Sequence, residues 1–142
     1  MEKRTFDLGG KKLLVVDDDP VVRLLLKITF TSWRNTLFDL AADGAAALKR
    51  VAATGYDLIL MDLQMPVLDG FETARAIRSG QAGFVNQKIP IIAISADLSE
   101  AARTKCLSLG IDEFLLKPLD SGTLHGSIQC LLGNQLPPGR IG

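Results

Sequence analysis

Chemically useful side chains stand at the ends of four short apolar runs. Asp17-Asp18-Asp19 follows Leu13-Leu14-Val15-Val16, and Asp62 follows Leu58-Ile59-Leu60-Met61. Ser95 follows Ile91-Ile92-Ala93-Ile94, and Lys117, with Pro118 behind it, follows Phe114-Leu115-Leu116. Gathered in one pocket, Asp17, Asp18 and Asp62 would repel one another, raise their pKa values and strain the fold unless a cation sat among them. A hard divalent ion with oxygen ligands answers that need; magnesium takes one or two carboxylates, several waters and a phosphate oxygen. No His or Cys cluster offers zinc a site. A carboxylate is also a covalent nucleophile able to form an aspartyl phosphate. Lys117 would pair with phosphoryl oxygens, and Ser95 offers a hydroxyl from the other side. Neither Gly-rich phosphate cradle occurs, so a nucleotide is not the expected ligand.

Each residue also has a plain reading. Asp18 or Asp19 before Pro20 would cap a helix, Asp69-Gly70 is a turn signal, and Lys117-Pro118 suits a surface turn. Ser95 would serve as a strand-end hydroxyl with no role. Asp62 resists such a reading, because its charge stands directly at the edge of a core run. The recurrence at four successive run ends favours the functional set.

The apolar runs are apolar on both faces, as strands of buried parallel sheets are. A weaker strand is expected at 37–40. Between the strands lie helical patterns. Pro20 is a good first helical residue, and a helix over 21–32 carries a polar stripe of Arg23 and Lys27, with Arg34 beyond it; otherwise apolar, it is expected to be well buried. Asp43 precedes an Ala-rich helix, Gly44–Ala53, closed by Gly55. A third helix is expected over 71–78. Asp97 with Glu100 makes a capping-box pattern for a fourth, stopped by Gly110. Ser121–Leu132 is the fifth, weakened by Gly122 and Gly126. The segment 79–88 reads as a long polar loop. This alternation predicts an α/β fold, with a five-stranded parallel sheet and helices on both faces. Because parallel strands point one way, their terminal Asp, Ser and Lys residues converge on one rim, where such sheets bind ligands.

With 142 residues, 47% apolar and 23% charged, the chain fits one globular domain. Residues 1–10 read as a polar lead-in, 11–132 as the folded domain and 133–142 as a frayed tail. Zero net charge argues against broad binding of nucleic acid or anionic membrane. Cys106 and Cys130 fit a reducing compartment and read as core thiols. No run of about 18 apolar residues and no secretory signal is present, which points to a cytoplasmic location. Trp33 is expected to pack at the end of the first helix and His125 to lie on a helix surface. Met61 and Met65 read as packing residues.

Leu14-Val15-Val16-Asp17-Asp18-Asp19-Pro20, Met61-Asp62-Leu63-Gln64-Met65-Pro66-Val67-Leu68-Asp69-Gly70, Ile89-Pro90-Ile91-Ile92-Ala93-Ile94-Ser95-Ala96 and Phe114-Leu115-Leu116-Lys117-Pro118 stand in this order. Together they resemble the receiver domain of two-component response regulators, over about residues 11 to 132. The long 79–88 segment and its flanks resemble receivers attached to hybrid sensor kinases. The resemblance implies a flavodoxin-like fold with strand order 2-1-3-4-5. It implies that Asp62 takes a phosphoryl group from a histidine of a sensor histidine kinase or a histidine phosphotransfer protein. Asp18 and Asp62 would bind Mg2+, or Mn2+ in its place, together with the main-chain carbonyl of Gln64; Asp17 would act mainly through a bound water. Lys117 would contact the phosphoryl group, with a cis bond to Pro118. Ser95 would swing toward the phosphoryl oxygen and Phe114, the switch aromatic, would rotate inward. The first helix and the loop after strand five would dock the phosphodonor. Helix four, strand five and helix five would carry the output or a homodimer.

Ser95 replaces the family's commoner Thr and keeps the hydroxyl; Phe114 replaces a frequent Tyr and loses a phenol. The implied activity is self-phosphorylation and slow autodephosphorylation, not conventional enzymatic turnover. Two alternatives remain. A magnesium-dependent phosphohydrolase with an aspartate nucleophile resembles the pattern but has a second acid two residues on, where this chain has Gln64. A receiver reduced to docking alone would have no need of the intact Asp17, Asp18, Asp62, Ser95 and Lys117.

Overall fold

The computed structural model describes residues 6–97 and 99–133. In chain order the elements are β1 (Asp7–Val16), α1 (Pro20–Ser32), β2 (Arg34–Ala41), α2 (Gly44–Ala53), β3 (Leu58–Asp62), α3 (Gly70–Arg78), β4 (Ile91–Ser95), α4 (Glu100–Ser108), β5 (Glu113–Leu116) and α5 (Ser121–Leu132). A single 3-10 turn, Phe84–Asn86, interrupts the loop before β4. All strands run parallel in the order β2-β1-β3-β4-β5, as expected. The order steps from β1 to both β2 and β3, so the rim beyond β1 and β3 is a switch point in the topology.

Alternation along the strands splits the core in two. Leu14, Val16, Ile59, Met61, Ile91 and Ala93 pack with residues of α2, α3 and α4. Leu13, Val15, Leu58, Leu60, Ile92 and Ile94 pack with those of α1 and α5. Every residue of β3 and β4 is buried, which explains their unbroken apolar sequence.

Side-chain caps start the helices. Asp19, Asp43 and Asp120 accept amide hydrogens of the following first turns. Asp69, read above as a turn residue, caps α3 in a full capping box with Glu72, so that helix begins at Gly70. The expected Asp97/Glu100 box does not form. Ser99 caps α4 instead, while the Asp97 carboxylate accepts the Ser99 N–H at 2.9 Å, using that acceptor two residues too early.

Three other expectations change. Far from being well buried, α1 buries Leu26 and Phe30 and leaves Val21, Leu24, Leu25 and Ile28 between 54% and 61% exposed. Two apolar stripes wind around this helix, and the one at 22, 26 and 30 faces the sheet. β1 begins at Asp7, inside the segment expected as a lead-in. Gly9 (φ +63°) and Gly10 (φ +89°) shift the register by a bulge, letting Asp7 pair with Arg34. Phe6 then stacks against Trp33 and His125, with ring centroids 5.3 and 4.5 Å away, at the end of the sheet where β1 starts. Cys106 is buried but Cys130 is half-buried. Of the expected tail, Gly133 caps α5 and residues 134–142 lie outside the described residues. Among the described residues no helix is long and apolar enough to cross a membrane.

Candidate functional site

The residues that close β1, β3, β4 and β5 meet on the expected rim. Asp17 follows β1, Asp62 ends β3, Ser95 ends β4 and Lys117 follows β5. One carboxylate oxygen from each of Asp17, Asp18 and Asp62 lies within 4.8 Å of the other two. Asp17 and Asp62 are buried, whereas Asp18 is exposed at the mouth.

Asp17 is fixed from several sides. Its amide donates to the Ala41 carbonyl at 3.1 Å, and its Oδ1 accepts the Asp19 N–H at 2.9 Å. Its Oδ2 lies 3.0 Å from Lys117 Nζ as an ion pair, yet this fully buried oxygen has no contact that meets hydrogen-bond geometry. Lys117 Nζ also reaches Asp62 Oδ1 at 3.5 Å. Asp62 Oδ1 further accepts the Gln64 N–H at 3.2 Å.

Burial pushes the Asp62 carboxyl up to about 6, and the neighbouring Asp17 charge adds to that; the Gln64 amide and Lys117 act the other way. Burial alone would lower Lys117, but the negative charges of Asp17 and Asp62 beside it hold it above its ordinary value. One ammonium thus serves two carboxylates, Asp17 and Asp62. A buried carboxylate oxygen lacking a hydrogen bond, among other hard oxygen donors, fits a divalent cation such as magnesium.

Ser95 and Phe114 frame the site without entering the carboxylate cluster. The Ser95 carbonyl accepts the Lys117 N–H at 2.8 Å, and its Oγ accepts the Asp97 N–H at 3.0 Å. Phe114 is half-buried on the α4 side, with the Arg103 guanidinium 5.7 Å from its ring centroid. The Lys117–Pro118 peptide is cis.

Two supporting positions were not singled out from the sequence. Gly70 sits so close under the site that a Cβ there would collide with the Asp62 carbonyl and lie 2.8 Å from Leu63 Cα. Only the Asp69-Gly70 turn signal hinted at it. Gly70→Ala is expected to cost about 3 kcal/mol, the upper range for overpacking a rigid backbone contact; urea denaturation measures it, and a wild-type midpoint would refute the packing account. Arg23, read above as part of a polar stripe, donates from Nη1 to the Asp17 carbonyl at 2.7 Å.

The loop from Asp62 to α3 carries a second backbone feature. Val67 has φ +68° and a fully exposed side chain. A β-branched residue is strained there, and nothing packs on it in return. Val67→Gly is expected to raise stability by about 1 kcal/mol; an unchanged or lower thermal midpoint would count against strain.

Similarity to known proteins spans the stretch of chain that holds this site. The response regulator receiver domain family matches residues 13–129. Hybrid signal transduction histidine kinase B of Dictyostelium discoideum is 36% identical over 123 residues, covering 80% of this chain and 6% of that protein. The transcriptional regulatory protein ResD of Bacillus subtilis (strain 168) is 36% identical over 121 residues, covering 85% of this chain and 48% of that protein. The chain therefore spans less than half the length of either relative. Among solved structures, the receiver domain of the sensor histidine kinase PA1611 from Pseudomonas aeruginosa PAO1, with a magnesium ion coordinated in its active-site cleft, is 33% identical with a TM-score of 0.79. The match covers 88% of this chain and 99% of that one. Vibrio cholerae chemotaxis protein CheY4 is 28% identical with a TM-score of 0.76, covering 86% and 98%.

Proposed function

The chain belongs to the response regulator receiver domain family, and from that premise we propose that it is a phosphoacceptor whose nucleophile is Asp62. The carrying observation is the buried Asp62 carboxylate, clustered with Asp17 and Asp18 and reached by Lys117. In the transfer, the phosphorus–nitrogen bond of a phosphohistidine breaks and a bond from phosphorus to an Asp62 oxygen forms. The histidine nitrogen leaves with its electron pair. Lys117, now shared between Asp17 and Asp62, is placed to pair with phosphoryl oxygens. Asp18, Asp62 and the Gln64 carbonyl would hold Mg2+ (or Mn2+), with Asp17 acting through a water; the ion would neutralise charge on the transferring group.

The switch reading rests on Ser95 and Phe114. The Ser95 hydroxyl holds the Asp97 amide and would leave it for a phosphoryl oxygen, with Phe114 turning inward as the loop moves. A charge change at Asp62 thus biases a two-state element. The chemistry is limited to self-phosphorylation and autodephosphorylation.

A sensor histidine kinase or histidine phosphotransfer protein is the proposed donor. The exposed stripe of Val21, Leu24, Leu25 and Ile28 at the mouth-side helix favours a helical donor surface. Output, or a homodimer, is assigned to α4, β5 and α5. The receiver unit runs from β1, starting at Asp7, to the end of α5 at Leu132, and acts in the cytoplasm without contacting nucleic acid or membrane.

Intact mass after incubation with acetyl phosphate, with magnesium or with EDTA, tests the reading. A labile gain of one phosphoryl group that requires magnesium is expected. No gain from acetyl phosphate or from a phosphorylated histidine phosphotransfer protein would overturn it.

A further inference from the structure

We propose that Arg23 is a positioning residue that pre-sets the Asp17-Asp18 turn for its divalent ion, an inference that rests on the phosphoacceptor reading. Arg23 lies one turn into α1 and is tied twice to the turn preceding the helix. Its amide donates to the Asp19 carbonyl at 3.0 Å, and Nη1 of its half-buried side chain donates to the Asp17 carbonyl at 2.7 Å. Within the turn, Asp17 Oδ1 takes the Asp19 amide and Asp19 Oδ1 takes the Val21 amide, each at 2.9 Å. The main-chain oxygen of Asp17 is thus held by a side chain rooted in the helix, while its carboxylate looks into the site.

The need for such a tie is electrostatic. Asp17, Asp18 and Asp62 repel one another, and without a divalent ion that repulsion pushes on the turn carrying two of them. A guanidinium bound to the Asp17 carbonyl resists that spreading and fixes the direction of the peptide. Its planar fork makes this bond directional, a property that the point charge of lysine lacks. A short, charge-assisted bond of this kind is among the strong ones.

Charge and positioning predict opposite signs. As a bare positive charge near the pocket, Arg23 would weaken binding of a dication, and removing it would tighten binding. As a positioning group it favours binding, and removing it loosens the site.

The experiment titrates Mg2+ into the full chain by isothermal calorimetry, with amide NMR shifts as a second readout. Arg23→Met keeps the stem and removes the charge and the fork. Its Mg2+ affinity is expected to fall by about tenfold, the scale seen when groups supporting metal ligands are lost. Hydrogen exchange at the Asp19 amide is expected to quicken, while the β3 and β4 amides keep their protection. Arg23→Lys keeps the charge and serves if the methionine variant does not fold; its affinity is expected to fall by less than about tenfold. Unchanged or tighter Mg2+ binding by either folded variant overturns the positioning role. A wild-type chain that binds no Mg2+ overturns the phosphoacceptor reading itself, and the role of Arg23 with it.

Discussion

Asp62→Asn is expected to abolish the magnesium-dependent gain of a phosphoryl group, lowering its rate by a factor on the order of 10³ or more, as loss of a nucleophile does. The substitution keeps the size of the side chain and its place at the end of β3. It removes the anionic oxygen that must attack phosphorus. The neighbouring carboxylates are poor substitutes. Asp17 is fully buried, with Oδ1 committed to the Asp19 amide and Oδ2 beside Lys117. Asp18 is exposed, and Lys117 forms ion pairs with Asp17 and Asp62 rather than with it. Intact mass and peptide mapping after acetyl phosphate treatment measure the effect. Equal labelling of the variant on another carboxylate would remove Asp62 from its role.

The second large effect is on stability, and its sign runs against the usual one for a paired carboxylate. The folded protein holds the Asp62 carboxyl up at about 6, whereas in an unfolded chain it titrates near its ordinary value of about 3.9. At pH 3 both states are protonated and the group favours neither. Between about pH 4 and 6 the unfolded chain ionises while the folded one resists, so stability is lost as pH rises. Above about pH 6 the loss is complete. Without a divalent ion at pH 7, Asp62→Asn is therefore expected to be more stable than the wild type. The gain should be about 1–2 kcal/mol. Magnesium should return much of this to the wild type by binding only the folded state. Urea denaturation between pH 4 and 8, with EDTA and with magnesium, checks both statements. A wild type more stable than the variant at pH 7 in EDTA would contradict them.

Much of this site was legible because its residues close apolar runs that belong only in a buried parallel sheet. β3 and β4 are the clearest cases: five buried residues each, with Asp62 and Ser95 at their ends. What the sequence left ambiguous has physical causes. α1 carries two apolar stripes, and hydrophobicity alone does not say which of them meets the sheet. The start of α4 was read from Asp97, whereas the cap is Ser99, two residues on; where the chain leaves β4 decided it. The start of β1 contains Gly9, Gly10, Lys11 and Lys12, with no strand-like alternation; its pairing is decided by β2 and by the Phe6 contact. Arg23 was misjudged because its partner is a main-chain carbonyl, and a carbonyl leaves no mark in a sequence.

The cluster of Phe6, Trp33 and His125 gives the molecule a spectroscopic consequence. Trp33 is the chain's single tryptophan, buried edge-on to both Phe30 and His125. It caps the end of α1 opposite the acidic turn, about 20 Å away at 1.5 Å per helical residue. Its emission is a native reporter of how the opening segment clasps α5, and it is deaf to local charge changes around Asp62. Fluorescence from this indole therefore reads the far pole of the domain, and any response to phosphorylation would record a change carried there through the packed core it shares with β1, α1 and α5.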